Sequence, residues 1–209
     1  MQWLSNRWLI ALGILWVSGV SVGLWMLADY ESTPGAAAVA PGRWPVDSRI
    51  ERVPGRATLI MLAHPHCPCT RASVGELALL MARAQGLVSA YVLFLAPKGF
   101  ADDWHQTDLW DSATAIPDVQ AMEDDDGQEA LRFHAATSGQ TLLYDAEGGL
   151  MFSGGITDAR GHSGDNTGRQ AILSLLTTGV ADQTQTPVFG CAMRSESTVG
   201  DEGDLVCRQ

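Results

Sequence analysis

Basic charge is scarce in this 209-residue chain. Thirteen Lys and Arg (13) stand against 24 Asp and Glu, a formal net charge of −11. Binding to nucleic acid needs a basic face that displaces counterions from phosphates, so nucleic acid is excluded as a partner. Anionic lipid headgroups suit the acidic soluble part no better. Cysteine is scarce as well. Cys67, Cys69, Cys191 and Cys207 make 4 in all, too few for a disulfide framework to replace a hydrophobic core. No internal repeat is present, which excludes a solenoid or propeller. No nicotinamide or flavin fingerprint occurs, so no organic cofactor is expected.

What is present begins with a long apolar run. Residues 8–28, WLIALGILWVSGVSVGLWMLA, carry no charge. As a helix rising about 1.5 Å per residue they span roughly 30 Å, one bilayer core. Secretory h-regions are shorter, about 7–15 residues. Arg7 precedes the run, and Asp29 and Glu31 follow it. Positive charge stays inside, so residues 1–7 are expected in the cytoplasm and the rest outside. The expectation is a single-pass cell-membrane protein with a periplasmic domain. Trp3, Trp8 and Trp25 sit near the run's ends, where aromatic belts form. A cleaved signal peptide is the competing reading, with small-residue sites in 36–40. Either reading puts the cysteines in an oxidising compartment.

Residues 29–56, rich in Pro, Gly and Ala, read as an extended spacer. Residues 57–63 (ATLIMLA) form a continuous apolar run without helical period, a buried strand. From Pro68, Val74, Leu77, Leu80, Met81 and Ala84 make a helical stripe that Gly86 stops. Residues 87–95 (LVSAYVLFL) are a second buried strand, completing a parallel βαβ unit. Beyond it, 100–115 reads as a short helix with loops and 117–122 as a short strand. The acidic run 123–126 reads as a solvated turn and 128–137 as a helix. Residues 141–145 and 150–153 read as a hairpin, 154–168 as a polar glycine-rich loop and 170–176 as a closing helix. The expected fold class is α/β. One mixed sheet is flanked by helices in a domain over 57–178, with a tail over 179–209 that carries Cys191 and Cys207.

The densest set of reactive side chains is His64-Pro65-His66-Cys67-Pro68-Cys69, where the first core strand gives way to the first core helix. Free backbone N–H groups and the helix dipole favour a thiolate there. Cys67 falls at the N-cap and Pro68 at the first helical position, so Cys67 has the lowest expected pKa. A protonated His64 or His66 would lower it further. A strand-to-helix mouth of this kind is expected to be exposed, which disfavours a buried structural pair. The rival chemistry is metal. His64, His66, Cys67 and Cys69 together suit Cu(I) or Zn, with Cys191 as a third ligand and Met193 as a soft auxiliary. His105, His134 and His162 carry no such argument. A scaffold without activity, serving as an interaction domain, is the remaining alternative.

The strand, cysteine pair, helix and strand, followed by DDDGQEALRFHAATSGQTLLYDAEGGLMFSGG, resemble thioredoxin-fold proteins of the membrane-anchored thiol-disulfide oxidoreductase type. HPHCPC, GGITDARGHSGDN and TPVFGC are most similar to a small thioredoxin-like group known as RedB. The resemblance implies Cys67 as the attacking thiol and Cys69 as its partner, acting on protein thiols and disulfides, with no metal committed. Two departures stand out. The family's cysteines have two residues between them, and here only Pro68 intervenes. The family's cis-proline before the hairpin aligns with Gln140. A peroxiredoxin site places Thr three residues before its cysteine, where this chain has His64. Cys191 and Cys207 either bridge each other, or Cys191 folds back to the Cys-Pro-Cys site as a resolving thiol.

Overall fold

The computed structural model describes residues 2–36 and 38–193. Two compact units divide the chain, one ending at Thr33 and one beginning at Pro34.

The first unit is a single helix, α1 (Gln2–Ser32). It outruns the uncharged segment at its C-terminal end because nothing in residues 29–32 opposes helix. Pro34 then biases Thr33 away from helical backbone. The Ser32 and Thr33 hydroxyls donate to the Ala28 and Asp29 carbonyls at 2.7 and 2.6 Å, absorbing open acceptors of the last turn. Residues 7–32 are long and apolar enough to cross a bilayer, a measure that a signal sequence also meets.

The second unit is built on five strands: β1 (Ala57–Ala63), β2 (Val88–Ala96), β3 (Val119–Asp125), β4 (Thr141–Tyr144) and β5 (Leu150–Gly154). Their order across the sheet is β3-β2-β1-β4-β5. β1 pairs in parallel with β2 and antiparallel with β4, so the sheet changes direction beside its central strand. Among the described residues four helices complete the domain: α2 (Pro68–Arg83), α3 (Asp108–Thr114), α4 (Gln128–Arg132) and α5 (Thr167–Thr178). This is the expected α/β arrangement, one mixed sheet flanked by helices.

Strand alternation divides the core. Leu59, Met61 and Ala63 join Ala90, Val92 and Phe94 under Val74, Leu77 and Leu80 of α2, Ala113 of α3 and Ile172 of α5. Ile60 and Leu62 face the other way, with Leu93, Leu142, Tyr144 and Phe133. Both faces are covered, which explains why β1 and β2 read as unbroken apolar runs.

Three segments differ from expectation. The stretch after Pro34 is irregular but not a free spacer. Ala40 and Ile50 are buried, and Trp44 stacks edge-on against Phe133 and Tyr144 at 5.1 and 5.2 Å. The Trp44 N–H donates to the Gly148 carbonyl at 2.8 Å, and the Tyr144 hydroxyl donates to the Pro41 carbonyl at 3.0 Å. The physical reason is an otherwise uncovered sheet face: α4 is too short to roof it, and the spacer does so. The acidic run is not a solvated turn either. β3 continues to Asp125, and the buried Asp124 carboxylate accepts the Glu129 and Ala130 N–H groups at 2.7 and 3.0 Å. Burial raises the Asp124 pKa against the pull of those two N–H donors. Finally, α4 stops at Arg132, short of Thr137. His134 takes a left-handed conformation (φ 53°) that no helix continues through.

The roofing role is checked by Trp44→Ala. Truncating a half-buried Trp in this aromatic cluster should cost about 2–3 kcal/mol of unfolding free energy in urea, at unchanged m value. A tethering spacer would give a change within about 0.5 kcal/mol.

A candidate thiol site at the start of helix α2

β1 ends at Ala63 and the chain turns through His64–His66, with the Cys67 N–H donating to the His64 carbonyl at 3.1 Å. Cys67 is the N-cap of α2, in extended backbone (φ −83°, ψ 120°), and Pro68 is its first helical residue. Proline costs nothing there, because that N–H has no intrahelical acceptor. The Thr70 N–H donates to the Cys67 carbonyl at 3.0 Å, closing the first turn.

A hydroxyl network pins this corner. The Ser138 Oγ accepts the His64 N–H at 2.8 Å and lies 2.8 Å from the Thr70 Oγ1. The Thr70 hydroxyl also donates to the His64 carbonyl at 3.2 Å. The end of β1, the first turn of α2 and the segment entering β4 therefore meet at Ser138. Gln140 closes that segment on itself. Its Oε1 accepts the Ala136 N–H at 3.3 Å, and its carbonyl accepts the Leu62 N–H at 2.9 Å. No peptide bond among the described residues is cis. Gln140 thus stands in a trans, self-bonded turn just before β4.

The Cys67 sulfur is ringed by donors. The Cys191 thiol and N–H lie against it, and the Thr70 and Cys69 N–H groups act on it from the helix start without closing a capping hydrogen bond. The Cys191 thiol is the largest influence. Burial pulls the other way, and the donors win: the Cys67 thiol falls from the ordinary 9.0 to about 5. Cys69 moves oppositely. Burial raises its pKa first, the charge on Cys67 next, and its thiol bonds to the Cys67 sulfur, with Arg160 and the Gly161 N–H offsetting in part. Of the two, Cys67 is the sulfur on which negative charge settles.

The histidines differ from expectation. His64 is buried, and burial is the main cause of its lowered pKa. Its Nδ1 accepts the His66 N–H at 3.2 Å, which puts the proton of the neutral ring on Nε2. An imidazolium therefore does not supply the charge that stabilises Cys67. His66 is exposed, and its Nε2 lies 3.1 Å from the Trp104 carbonyl. The two imidazoles flank Trp104, with centroids 6.2 Å apart. Among the described residues no three His, Cys, Asp or Glu side chains converge as a metal set. Met193 packs in the core with Phe133 and Leu142 instead of serving as a soft ligand.

The mouth is also not exposed. Cys67 is 1% and Cys69 8% accessible. The tail covers it: Cys191 lies on Cys67, and Phe189 and Gly190 are buried beside it. Cys191 itself is half-buried. Cys207, and with it a Cys191–Cys207 bridge, lies outside the described residues.

The glycine-rich loop is held by a buried ion pair that sequence reasoning missed. Glu76 of α2 and Arg169 of α5, 1% and 3% accessible, bond side chain to side chain. Glu76 also accepts the Gly164 N–H at 2.8 Å and the Asn166 Nδ2 at 3.0 Å, while the Asn166 Oδ1 caps α5 through the Arg169 N–H at 2.8 Å. The loop so anchored presents Arg160 and Gly161 to Cys69. The signal was a glutamate beside the apolar stripe of α2, which demands a partner once the helix is buried on that side. Ser138 carried no signal at all.

No family model matches the chain, and no curated protein matches it either. The fold is similar to that of solved structures. An uncharacterized conserved protein from Geobacillus kaustophilus is 20% identical at TM-score 0.57, over 81% of this chain and 94% of that one. A hypothetical protein from Sinorhizobium meliloti 1021 is 20% identical at TM-score 0.56, over 70% and 82%. A secreted disulfide oxidoreductase from Mycobacterium tuberculosis, homologous to E. coli DsbE, lies further off. It is 15% identical at TM-score 0.42, over 59% and 81%.

Glu76→Ala tests the anchor. It leaves the buried Arg169 guanidinium with the exposed Asp165 carboxylate as its remaining ion-pair partner and should lower stability by about 3 kcal/mol, measured by urea unfolding. A surface pair would cost under about 1 kcal/mol.

Proposed function

We propose that this chain is a thiol-disulfide oxidoreductase. It acts on protein disulfides outside the cytoplasm, is tethered by α1, and uses Cys67 of the Cys-Pro-Cys site as attacking thiol. The observation that carries this reading is the environment of that sulfur. A thiolate is the nucleophile in disulfide exchange, and Cys67 sits at a helix N-cap with donors on several sides and a pKa drawn down to about 5. The resemblance of HPHCPC and TPVFGC to the RedB group supports the same assignment. Arg7 before the apolar segment and Asp29 and Glu31 after it support an outward-facing domain.

The reaction runs by two displacements. The Cys67 thiolate attacks one sulfur of a partner disulfide. The partner's S–S bond breaks, a Cys67–partner disulfide forms, and the other partner sulfur leaves as thiolate and takes up a proton. A second thiol of the site loses its proton and attacks the Cys67 sulfur. That forms an internal disulfide and releases the remaining partner sulfur. Two electrons pass to the partner, and a dithiol protein in the same compartment restores the site. The same steps in reverse oxidise a partner dithiol.

The test is the ultraviolet absorbance of the thiolate, recorded as a function of pH and compared with Cys67→Ser. A transition centred near 5 is expected, and one near the free-thiol value of about 8.5 would remove the basis of the reading. Stability follows with a definite sign. The folded pKa is depressed, so the Cys67 contribution is full above the ordinary value of 9.0 and is lost as pH falls through about 5. Wild type should therefore gain stability relative to Cys67→Ser as pH rises from 5 to 9.

A further inference from the structure

The last described residues do not leave the domain; they run back across the thiol site as an irregular segment held by backbone hydrogen bonds. The Pro187 carbonyl accepts the Gly155 N–H at 3.2 Å and the Val188 carbonyl accepts the Gly35 N–H at 2.8 Å. The Ser138 N–H donates to the Cys191 carbonyl, and the Met193 N–H to the Ala136 carbonyl, both at 2.8 Å. Thr137 and Ala192 form the antiparallel bridge between these bonds. From the glycine-rich loop, Arg160 donates to the Gly190 carbonyl at 2.6 Å. Gly190 approaches Ser138 so closely that a Cβ there would lie 1.9 Å from the Ser138 carbonyl oxygen. Phe189, Gly190 and Met193 are buried, Ala192 is exposed, and half-buried Cys191 lies against Cys67.

We propose that Cys191 is the resolving thiol of this site: the segment 187–193 docks on residues 136–138, and the disulfide of the oxidised protein joins Cys67 to Cys191. This rests on the reading of Cys67 as attacking thiol.

Chain geometry favours Cys191 over Cys69. Cys67 and Cys69 stand on one helical turn with a single proline between them, and bridging them closes a small ring whose strain opposes the bond. Cys191 arrives on a separate segment, so its bond to Cys67 closes no small ring. Proton placement agrees with this, because burial and the neighbouring negative sulfur keep the proton on Cys69. Access agrees too. Cys67 is 1% exposed under that segment, so a partner disulfide reaches it only when the segment lifts. Redocking then brings Cys191 onto the mixed disulfide at the moment a second thiol is needed. In that step the Cys191 thiol gives up its proton and its sulfur attacks the Cys67 sulfur. The Cys67–partner bond breaks as the Cys67–Cys191 bond forms, and the partner leaves as a thiol carrying the electron pair of the broken bond.

Disulfide mapping of the full chain separates the possibilities. Trypsin leaves Cys67 and Cys69 together on peptide 57–71, Cys191 on 170–194 and Cys207 on 195–208. The reduced protein is oxidised with oxidised glutathione, digested without reductant and analysed by mass spectrometry. Peptide 57–71 joined to 170–194 is expected. Cys191→Ser should abolish that link and slow release of glutathione from Cys67 by on the order of tenfold or more. Gly190→Ala leaves every sulfur in place but blocks docking, and should show the same loss with unchanged far-ultraviolet circular dichroism. A bond within 57–71, or 170–194 joined to 195–208, with release at the wild-type rate in Cys191→Ser, overturns the assignment and leaves Cys67 as nucleophile. Failure of Cys67 to enter any disulfide overturns both.

Discussion

A charged sulfur in a place that water does not reach must be solvated by the protein itself. Cys67 meets that requirement with N–H groups from its own helix and with both the N–H and the thiol of Cys191. Everything near the site is arranged by this need. The helix must start at Cys67 for the Cys69 and Thr70 N–H groups to point back at the sulfur. The tail must dock for Cys191 to contribute. Once the charge is settled on Cys67, its neighbours are constrained in turn. Cys69 holds its proton against a nearby negative charge, and buried His64 accepts a backbone N–H on Nδ1.

The donors are positioned by a relay of contacts that crosses the domain. The Glu76–Arg169 pair and Asn166 hold the glycine-rich loop to α2 and α5. That loop holds Gly190 through Arg160, and Ser138 holds Cys191. A buried ion pair adds little net stability compared with apolar packing. Its value here is location, since the loop it fixes is polar, rich in glycine and without an apolar anchor in its central part. The segment after Pro34 plays the matching part on the opposite sheet face, where Trp44 covers Phe133 and Tyr144.

Much of this was legible in advance, and the reasons are local. β1 and β2 announced themselves because strands buried on both faces need no polar residue, and α2 because one helical face meets the sheet. The proline after Cys67 marked the helix start. The failures share another cause. Residues 123–126 look like a solvated turn because four acidic residues rarely enter a core. Asp124 does so only because α4 offers it two N–H groups, and α4 lies beyond the run itself. The spacer reads as free chain because small residues, Pro and Gly carry no period, yet Trp44 is an apolar anchor for a face that sequence does not reveal. His64 and His66 look like a ligand pair by spacing, but Trp104, distant in sequence, packs against both rings.

Sequence by itself determined the apolar helix, the parallel core unit, the antiparallel hairpin and the place of Cys67 at a helix start. These depend on periodicity, capping and turn chemistry, which act over a few residues. Tertiary structure alone decided that the mouth is covered, that Cys191 lies on Cys67, and that Glu76 meets Arg169 across two helices. Those outcomes join residues more than ninety positions apart. Which distant groups meet depends on how whole faces pack and on which buried charges must find partners, and no short stretch of chain encodes either.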